Sequence, residues 1–283
     1  MTIVAIWHEA ADDALWAVAD TRISFPLQSG GTQVRTEIGA KLLLLPTVCR
    51  RIATQTNLFP APHFWRTYGF AFAGDVLPAI LTHAHASTFL QNLVNVTTAD
   101  PPMLREVADM VRRVATRVSR EMLTNDMAYG RFECSIFGEC PHSNRFEVYG
   151  ITPLTRPDDE SKLVCNDPYK EGLPILLGDA KEQFNLAYEQ YQRDGDPEGR
   201  TLRLPKRAIE RIISEGVGTV GGSLSIGMVC HAYALHERSF QLLRWLQPIE
   251  RGKPQAICTF NGMDVDSEIG QVGPCIIGML GMI

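Results

Sequence analysis

No run of about 18 apolar residues occurs in this chain, so no membrane-spanning helix is expected. The start of the sequence, Met-Thr-Ile-Val-Ala-Ile-Trp-His-Glu, lacks the basic segment and the long apolar segment of a secretory signal, and it soon meets acidic Glu9, Asp12 and Asp13. Basic charge is also short. Lysine and arginine number 27 against 32 acidic residues, a formal net charge of −5, and no basic stretch is interleaved with aromatics. A general nucleic-acid binder would carry a basic surface, so nucleic acid is not an expected partner. Cysteine pairs are missing too. The seven cysteines are scattered, odd in number and without a C-x-x-C pair. That usage fits reduced thiols and a cytoplasmic location rather than a disulfide framework. No His or Cys pair has ligand spacing in a suitable context, and neither a metal nor a cofactor is implied. His83 and His85 stand two apart and would not share a helix face; they read as structural or solvated.

What is present is a long alternation of strand and helix signals. Residues 2–7 are mostly β-branched and apolar, Asp12-Asp13 makes a turn, and residues 15–20 return, predicting a β-hairpin at the start of the chain. Gly30-Gly31 marks a loop. A short strand over 41–45 is expected to stop at Pro46, and another strand covers 68–74. Asp75 is placed to cap a helix that tolerates Pro78 in its first turn and runs to about Leu93. A second helix follows Asp100-Pro101-Pro102, with Leu104, Val107, Val111, Val114, Val118 and Met122 on one side. Arg112, Arg113, Arg117 and Arg120 fall mostly on the other face, which reads as solvated.

Two strands are predicted within 131–151 around a Pro141–Asn144 turn, and another near 173–177. A helix begins at Gly178-Asp179, a polar loop covers 194–200, and Pro205 opens a helix through Ile213. Strands over 223–235 and 239–246 follow, and the tail holds little more than a possible strand at 255–260. Runs of strands separated by pairs of helices predict a layered α+β architecture with antiparallel sheets, not βαβ repeats. No internal repeat is visible, and one domain over residues 1–283 is the simplest organisation.

Thr2 is the residue with chemical promise. An initiator Met is normally removed before a small side chain, which would leave a free α-amine on Thr2. A threonine hydroxyl is a poor nucleophile at neutral pH, but its own α-amine can serve as the base. That amine ordinarily titrates at about 7.7–8.0, near operating pH. Thr at position two is common, so the residue alone decides little. Asp20 and Lys41, taken singly, read as a turn-capping carboxylate and an ordinary surface lysine.

Taken together, Thr2-Ile3-Val4, Ala19-Asp20-Thr21-Arg22, Gly39-Ala40-Lys41 and Ala73-Gly74 resemble the opening of a proteasome β subunit. The likeness extends to the smaller bacterial homologues of the Anbu (ancestral β subunit) type. It is clearest over residues 2–93 and continues by element order to about 246. It implies an N-terminal nucleophile (Ntn) hydrolase fold, a four-layer αββα sandwich of two antiparallel sheets. In that family Thr2 would be the nucleophile and its amine the base. Lys41 would place a cation beside the hydroxyl, Asp20 would hold Lys41 charged and oriented, and the Gly74 N–H would face the oxyanion. Arg22 would support the turn.

Two departures accompany the likeness. Where the family opens its third helix with Gly-Ser-Gly, this chain has Gly178-Asp179-Ala180, so Asp179 would stand in for the serine beside the amine. The family's Asp-x-x-Ser-Gly corresponds to Val217-Gly218-Thr219-Val220-Gly221, with Val at both polar places. The gap between Lys41 and Gly74 is long, and a hairpin over 46–68 would cover the site or serve in assembly. The activity implied is a threonine-type peptidase acting on a peptide or protein inside a homo-oligomeric ring, with or without an unfoldase partner. An inactive self-assembling ring subunit, and an Ntn hydrolase of a small amide, are the other two readings.

Overall fold

The computed structural model describes residues 2–27, 30–52, 60–95, 100–125, 130–170, 173–194, 203–216, 218–230, 238–248, 256–270, 275, 277–279 and 281–282. In chain order the strands and helices are β1 (Ile3–Glu9), β2 (Ala14–Asp20), β3 (Ile23–Pro26), β4 (Thr32–Thr36), β5 (Leu42–Arg51), β6 (Pro62–Gly74), α1 (Val76–Leu90), β7 (Leu93–Asn95) and α2 (Leu104–Asn125). They continue with β8 (Phe132–Glu139), β9 (Phe146–Ile151), β10 (Leu163–Asn166), β11 (Ile175–Gly178), α3 (Lys181–Asp194) and α4 (Leu204–Glu215). The last are β12 (Leu224–Cys230), β13 (Gln241–Pro248), β14 (Ala256–Phe260), β15 (Met263–Asp264), a π-helical turn over Val265–Ile269 and β16 (Gly281–Met282).

The chain divides into two compact units. The first comprises Met1–Leu42, Glu171–Met228 and Leu242–Ile283. Its eight-stranded sheet has the order β11-β1-β2-β12-β13-β14-β15, with β16 joined to β13. The expected opening hairpin is present: β1 and β2 run antiparallel, from Val4 opposite Ala19 to Glu9 opposite Ala14. All seven residues of β2 and the first five of β1 are buried, which explains why, Asp20 apart, they are continuously apolar rather than alternating in and out. Helix α4 packs on β1 and β2, and α3 packs on β11 and α4. The amphipathic face of α4 supplies Ala208, Ile209 and Ile212 to the interior. A separate two-stranded sheet joins β3 to β4.

The second unit comprises Leu43–Lys170 and Val229–Gln241. Its six-stranded sheet has the order β10-β9-β8-β6-β5-β7, and α1 and α2 pack against its strands and each other. Tyr68, Phe70 and Phe72 on β6, Ile136 on β8, and Val107 and Val111 on α2 lie in its apolar core.

Several expectations need correction. Among the described residues three sheets form where two were expected, because β3 and β4 make a sheet of their own, and the β5–β7 and β13–β16 pairings are parallel. Pro46 does not end its strand. The described pairing of β7 with β5 reaches only Cys49–Arg51, so Pro46 sits where a missing N–H costs no ladder bond on that side. The segment expected as a hairpin over 46–68 supplies the sheet neighbours β5 and β6, with residues 53–59 outside the described residues.

Helix α1 stops at Leu90 and the chain re-enters the sheet as β7. Asp75 occupies the N-cap position without capping; its carboxylate accepts from the Gly130 and Arg131 N–H groups at 2.8 and 2.9 Å. The arginine face of α2 is only half solvated. Arg112 and Arg120 reach the backbone carbonyls of Ser161, Pro157 and Asp159, while Arg113 and Arg117 remain exposed. The tail is richer than expected, since β14, β15 and β16 extend the first unit's sheet. The polar loop beyond Asp194, residues 231–235 and Val217 lie outside the described residues.

Candidate active site

Thr2 immediately precedes β1, which lies between β11 and β2. The main chain pins its position from the β11 side. Ile3 stands opposite Gly178, and the Ala180 N–H donates to Thr2 O at 3.4 Å. Gly178 has φ +101°, and a Cβ there would lie 1.9 Å from Thr2 O, so a side chain at this position would displace the threonine.

Asp20 ends β2 and is fully buried. Its Oδ1 accepts from the Ile3 N–H at 3.0 Å and from Lys41 Nζ at 2.8 Å, while Oδ2 accepts from the Gly221 N–H at 3.4 Å. Lys41 is itself only 2% exposed, and its Nζ also lies 3.3 Å from Thr2 Oγ1. The reading of Lys41 as an ordinary surface lysine is therefore excluded. A buried ammonium is tolerable only with a partner, and the carboxylate is in contact with it.

Burial drives both members of the pair toward their neutral forms. It raises the Asp20 carboxyl above its ordinary range, opposed by the Lys41 charge and the hydrogen bonds from Lys41, Ile3 and Gly221. It lowers the Lys41 ammonium, opposed chiefly by Asp20 and more weakly by Asp179. A lysine so shifted both polarises a hydroxyl and can move a proton closer to neutral pH than a solvated lysine would.

Thr21 and Arg22 build the support beneath the pair. Thr21 N donates to Ser223 O, the Thr21 hydroxyl donates to Glu37 O, and Ser223 N donates to that hydroxyl at 2.7 Å. Arg22 Nε lies 3.1 and 3.0 Å from the two Glu37 carboxylate oxygens, and Nη1 reaches Val220 O at 3.4 Å. Val220 is wholly buried and offers its carbonyl rather than a polar side chain. An open cleft lined by Arg22, Glu37, Glu210, Trp245 and Thr259 adjoins this turn, but Thr2 and Lys41 are not among its walls.

Asp179 lies between β11 and α3, and its Oδ1 stands 2.6 Å from Thr2 N. Thr2, Asp20, Arg22, Lys41 and Asp179 thus all fall in the first unit, joined by direct contacts or through the Thr21 turn. Gly74 belongs to the second unit, at the end of β6 with φ +101°. A Cβ there would meet Arg131 O at 2.6 Å, so the strand crossing alone requires glycine. Glu37 and Ser223 were missed in the sequence, and Gly221 was named there only as the end of the Val217–Gly221 stretch, without a role. Two of these act through backbone atoms, for which side-chain identity carries no signal. Among the described residues no cluster of three His, Cys, Asp or Glu could hold a metal, and no helix is long and apolar enough to cross a membrane.

Neither a protein-family model nor a curated protein matches the sequence. Solved structures do match the fold. An Anbu (Gly-1) mutant from Hyphomicrobium sp. strain MC1 superposes with TM-score 0.51 at 14% identity, covering 81% of this chain and 82% of that one. Anbu (ancestral beta-subunit) from Yersinia bercovieri gives 0.51 at 11% identity, covering 81% of each chain. At such identities the likeness establishes a fold similar to that of Anbu, the proteasome-like type that the opening motifs resemble.

Proposed function

We propose that the chain is an N-terminal threonine amidohydrolase, a proteasome-like peptidase in which Thr2 is the nucleophile after removal of Met1. The observation that carries this reading is the contact of Lys41 Nζ with both Thr2 Oγ1, at 3.3 Å, and the buried Asp20 carboxylate, at 2.8 Å. A cation held against a hydroxyl favours its alkoxide, and a carboxylate locked by backbone N–H groups keeps that cation in place.

In the reaction the freed Thr2 amine takes the hydroxyl proton as Oγ1 bonds to the substrate carbonyl carbon. The developing oxyanion takes hydrogen bonds from backbone N–H groups, a role the resemblance assigns to Gly74; one such donor is worth about 2.7–4 kcal/mol in other enzymes. As the C–N bond breaks, the ammonium returns the proton to the leaving amine. Water, deprotonated by the same amine, then cleaves the ester and frees Thr2. Asp20 and Lys41 stay bound throughout, and Arg22 keeps the turn in register through Glu37. Within this proposal the substrate is a peptide or protein, the unit is one cytoplasmic αββα domain, and copies assemble into a homo-oligomeric ring.

The test is mass measurement of the full chain before and after incubation with a β-lactone acylating agent. Loss of Met1 and a single adduct mapped to Thr2, absent from Thr2→Ala, are expected. Retention of Met1, or no adduct on Thr2 across neutral and alkaline pH, would overturn the reading.

A further inference from the structure

Three separate stretches of the first unit meet at one buried hydroxyl. Thr21 follows Asp20 in the chain and is fully buried. Its N–H donates to Ser223 O at 3.1 Å, and its carbonyl accepts from the Gly39 N–H at 2.8 Å. The side chain closes the arrangement, since Oγ1 donates to Glu37 O and accepts from the Ser223 N–H at 2.7 Å. Lys41 stands two residues beyond Gly39, and Gly221, whose N–H meets Asp20, stands two before Ser223. We infer that Thr21 is a positioning residue whose hydroxyl sets Lys41 against Thr2 Oγ1, and that Arg22, to which the resemblance gives the support of this turn, contributes less. The catalytic consequence rests on the hydrolase reading; the clamp itself does not.

The need for a clamp follows from the stem that carries the ammonium. A lysine side chain has several free torsions, so the Asp20 contact fixes Nζ beside Thr2 only if the backbone at Lys41 keeps its distance from the end of β2. Residues 37–41 lie between β4 and β5 and belong to neither strand, so they take their place from bonds such as those to Thr21. Replacing the hydroxyl by a methyl group removes a partner from the Glu37 carbonyl and from the Ser223 N–H. Backbone groups are costly to leave unpaired in a buried place, so the two stretches separate or admit water and the segment bearing Lys41 moves. The Arg22–Glu37 ion pair is the weaker hold. Its side chains are 25% and 47% exposed, and such a pair is screened by solvent and salt. Displacing a reacting group by about 1 Å costs about a hundredfold in rate in other enzymes, so a small shift suffices.

The test follows β-lactone acylation of Thr2 by mass in the full-length protein, at a temperature where every variant is folded. Thr21→Val should react at least about tenfold more slowly than the wild type, and Thr21→Ser, which keeps the hydroxyl, should recover most of the rate. Arg22→Gln should lose less than Thr21→Val. Ile209→Ala, which opens a cavity under α4, is the control for lost stability alone and should react at about the wild-type rate. Amide hydrogen exchange at Gly39 and Ser223 is measured by NMR in the same proteins, and Thr21→Val should speed it at least about tenfold. Thr21→Val reacting no more slowly than Ile209→Ala, Arg22→Gln losing more than Thr21→Val, or unchanged exchange at both amides overturns the inference. Faster exchange with no Thr2 adduct in any protein, the wild type included, would instead overturn the hydrolase reading and leave the clamp standing.

Discussion

Two nearly buried lysines in the first unit invite comparison. Lys41 is 2% exposed and lies 2.8 Å from Asp20; Lys206, in the first turn of α4, is 3% exposed and lies 2.8 Å from Glu210. By distance and burial of the lysine the two are alike. Their partners differ. Asp20 is fully buried and bonded to backbone N–H groups from β1 and from the turn before β12, whereas Glu210 retains 17% exposure, sits one helical turn away and is shared with Arg207. Lys206 thus belongs to an i,i+4 helix pair that stays partly solvated, while Lys41 joins separate chain segments around a hydroxyl. A buried lysine is therefore not a site in itself. The immobilised carboxylate and the nearby Thr2 hydroxyl make the difference.

Substitution should separate the two regions most sharply. Lys41→Met leaves the Asp20 carboxylate buried and unpaired, and denaturant unfolding is expected to show a loss of about 3–5 kcal/mol. Lys206→Met leaves Glu210 with Arg207 and some solvent, and should cost about 1 kcal/mol or less. Equal losses would break the comparison.

A smaller effect is expected at the wall of the Thr2 site. Gly178→Ala forces a side chain into a left-handed conformation and against Thr2 O, at a cost of about 1–3 kcal/mol. It should also slow acylation of Thr2, and unchanged labelling would show that the β1 terminus is not held from the β11 side.

The smallest and most diagnostic effect is the pH dependence of stability, read against the double variant Asp20→Leu with Lys41→Met. Asp20 is raised in the folded state, so its contribution is present below its unfolded value of 3.8 and is lost as pH rises through the native value. Lys41 is lowered, so its contribution is present above 10.5 and is lost as pH falls through its native value. Relative to the double variant, the wild type should therefore be least stable between the two windows. A relative maximum there would mean that pairing outweighs burial.

Legibility in the sequence was uneven for physical reasons. The opening hairpin, the second helix and the Pro205 start of α4 were readable because local periodicity and turn chemistry determine them. Pro46 misled because strand continuity there depends on how far a neighbouring strand extends, which is a property of the sheet. Asp75 misled because a carboxylate at a helix start has the same local signature whether it caps the helix or, as here, binds the distant backbone of residues 130–131. At the candidate site the side chains Thr2, Asp20, Lys41 and Asp179 could be named from spacing and resemblance. Gly221 and Ser223 could not, since they act through N–H and C=O groups that every non-proline residue carries.

By itself, then, the sequence determined which side chains were available for chemistry and which segments had strand or helix character, because hydroxyl, carboxylate and ammonium groups and apolar periods are local properties. Tertiary structure decided that Lys41 is buried rather than solvated, that its cation is locked by a carboxylate, and that Asp179 lies against Thr2 N. Those outcomes depend on distant segments, 201 residues apart in the Gly221–Asp20 contact, meeting in one low-dielectric place, and no local pattern encodes that meeting.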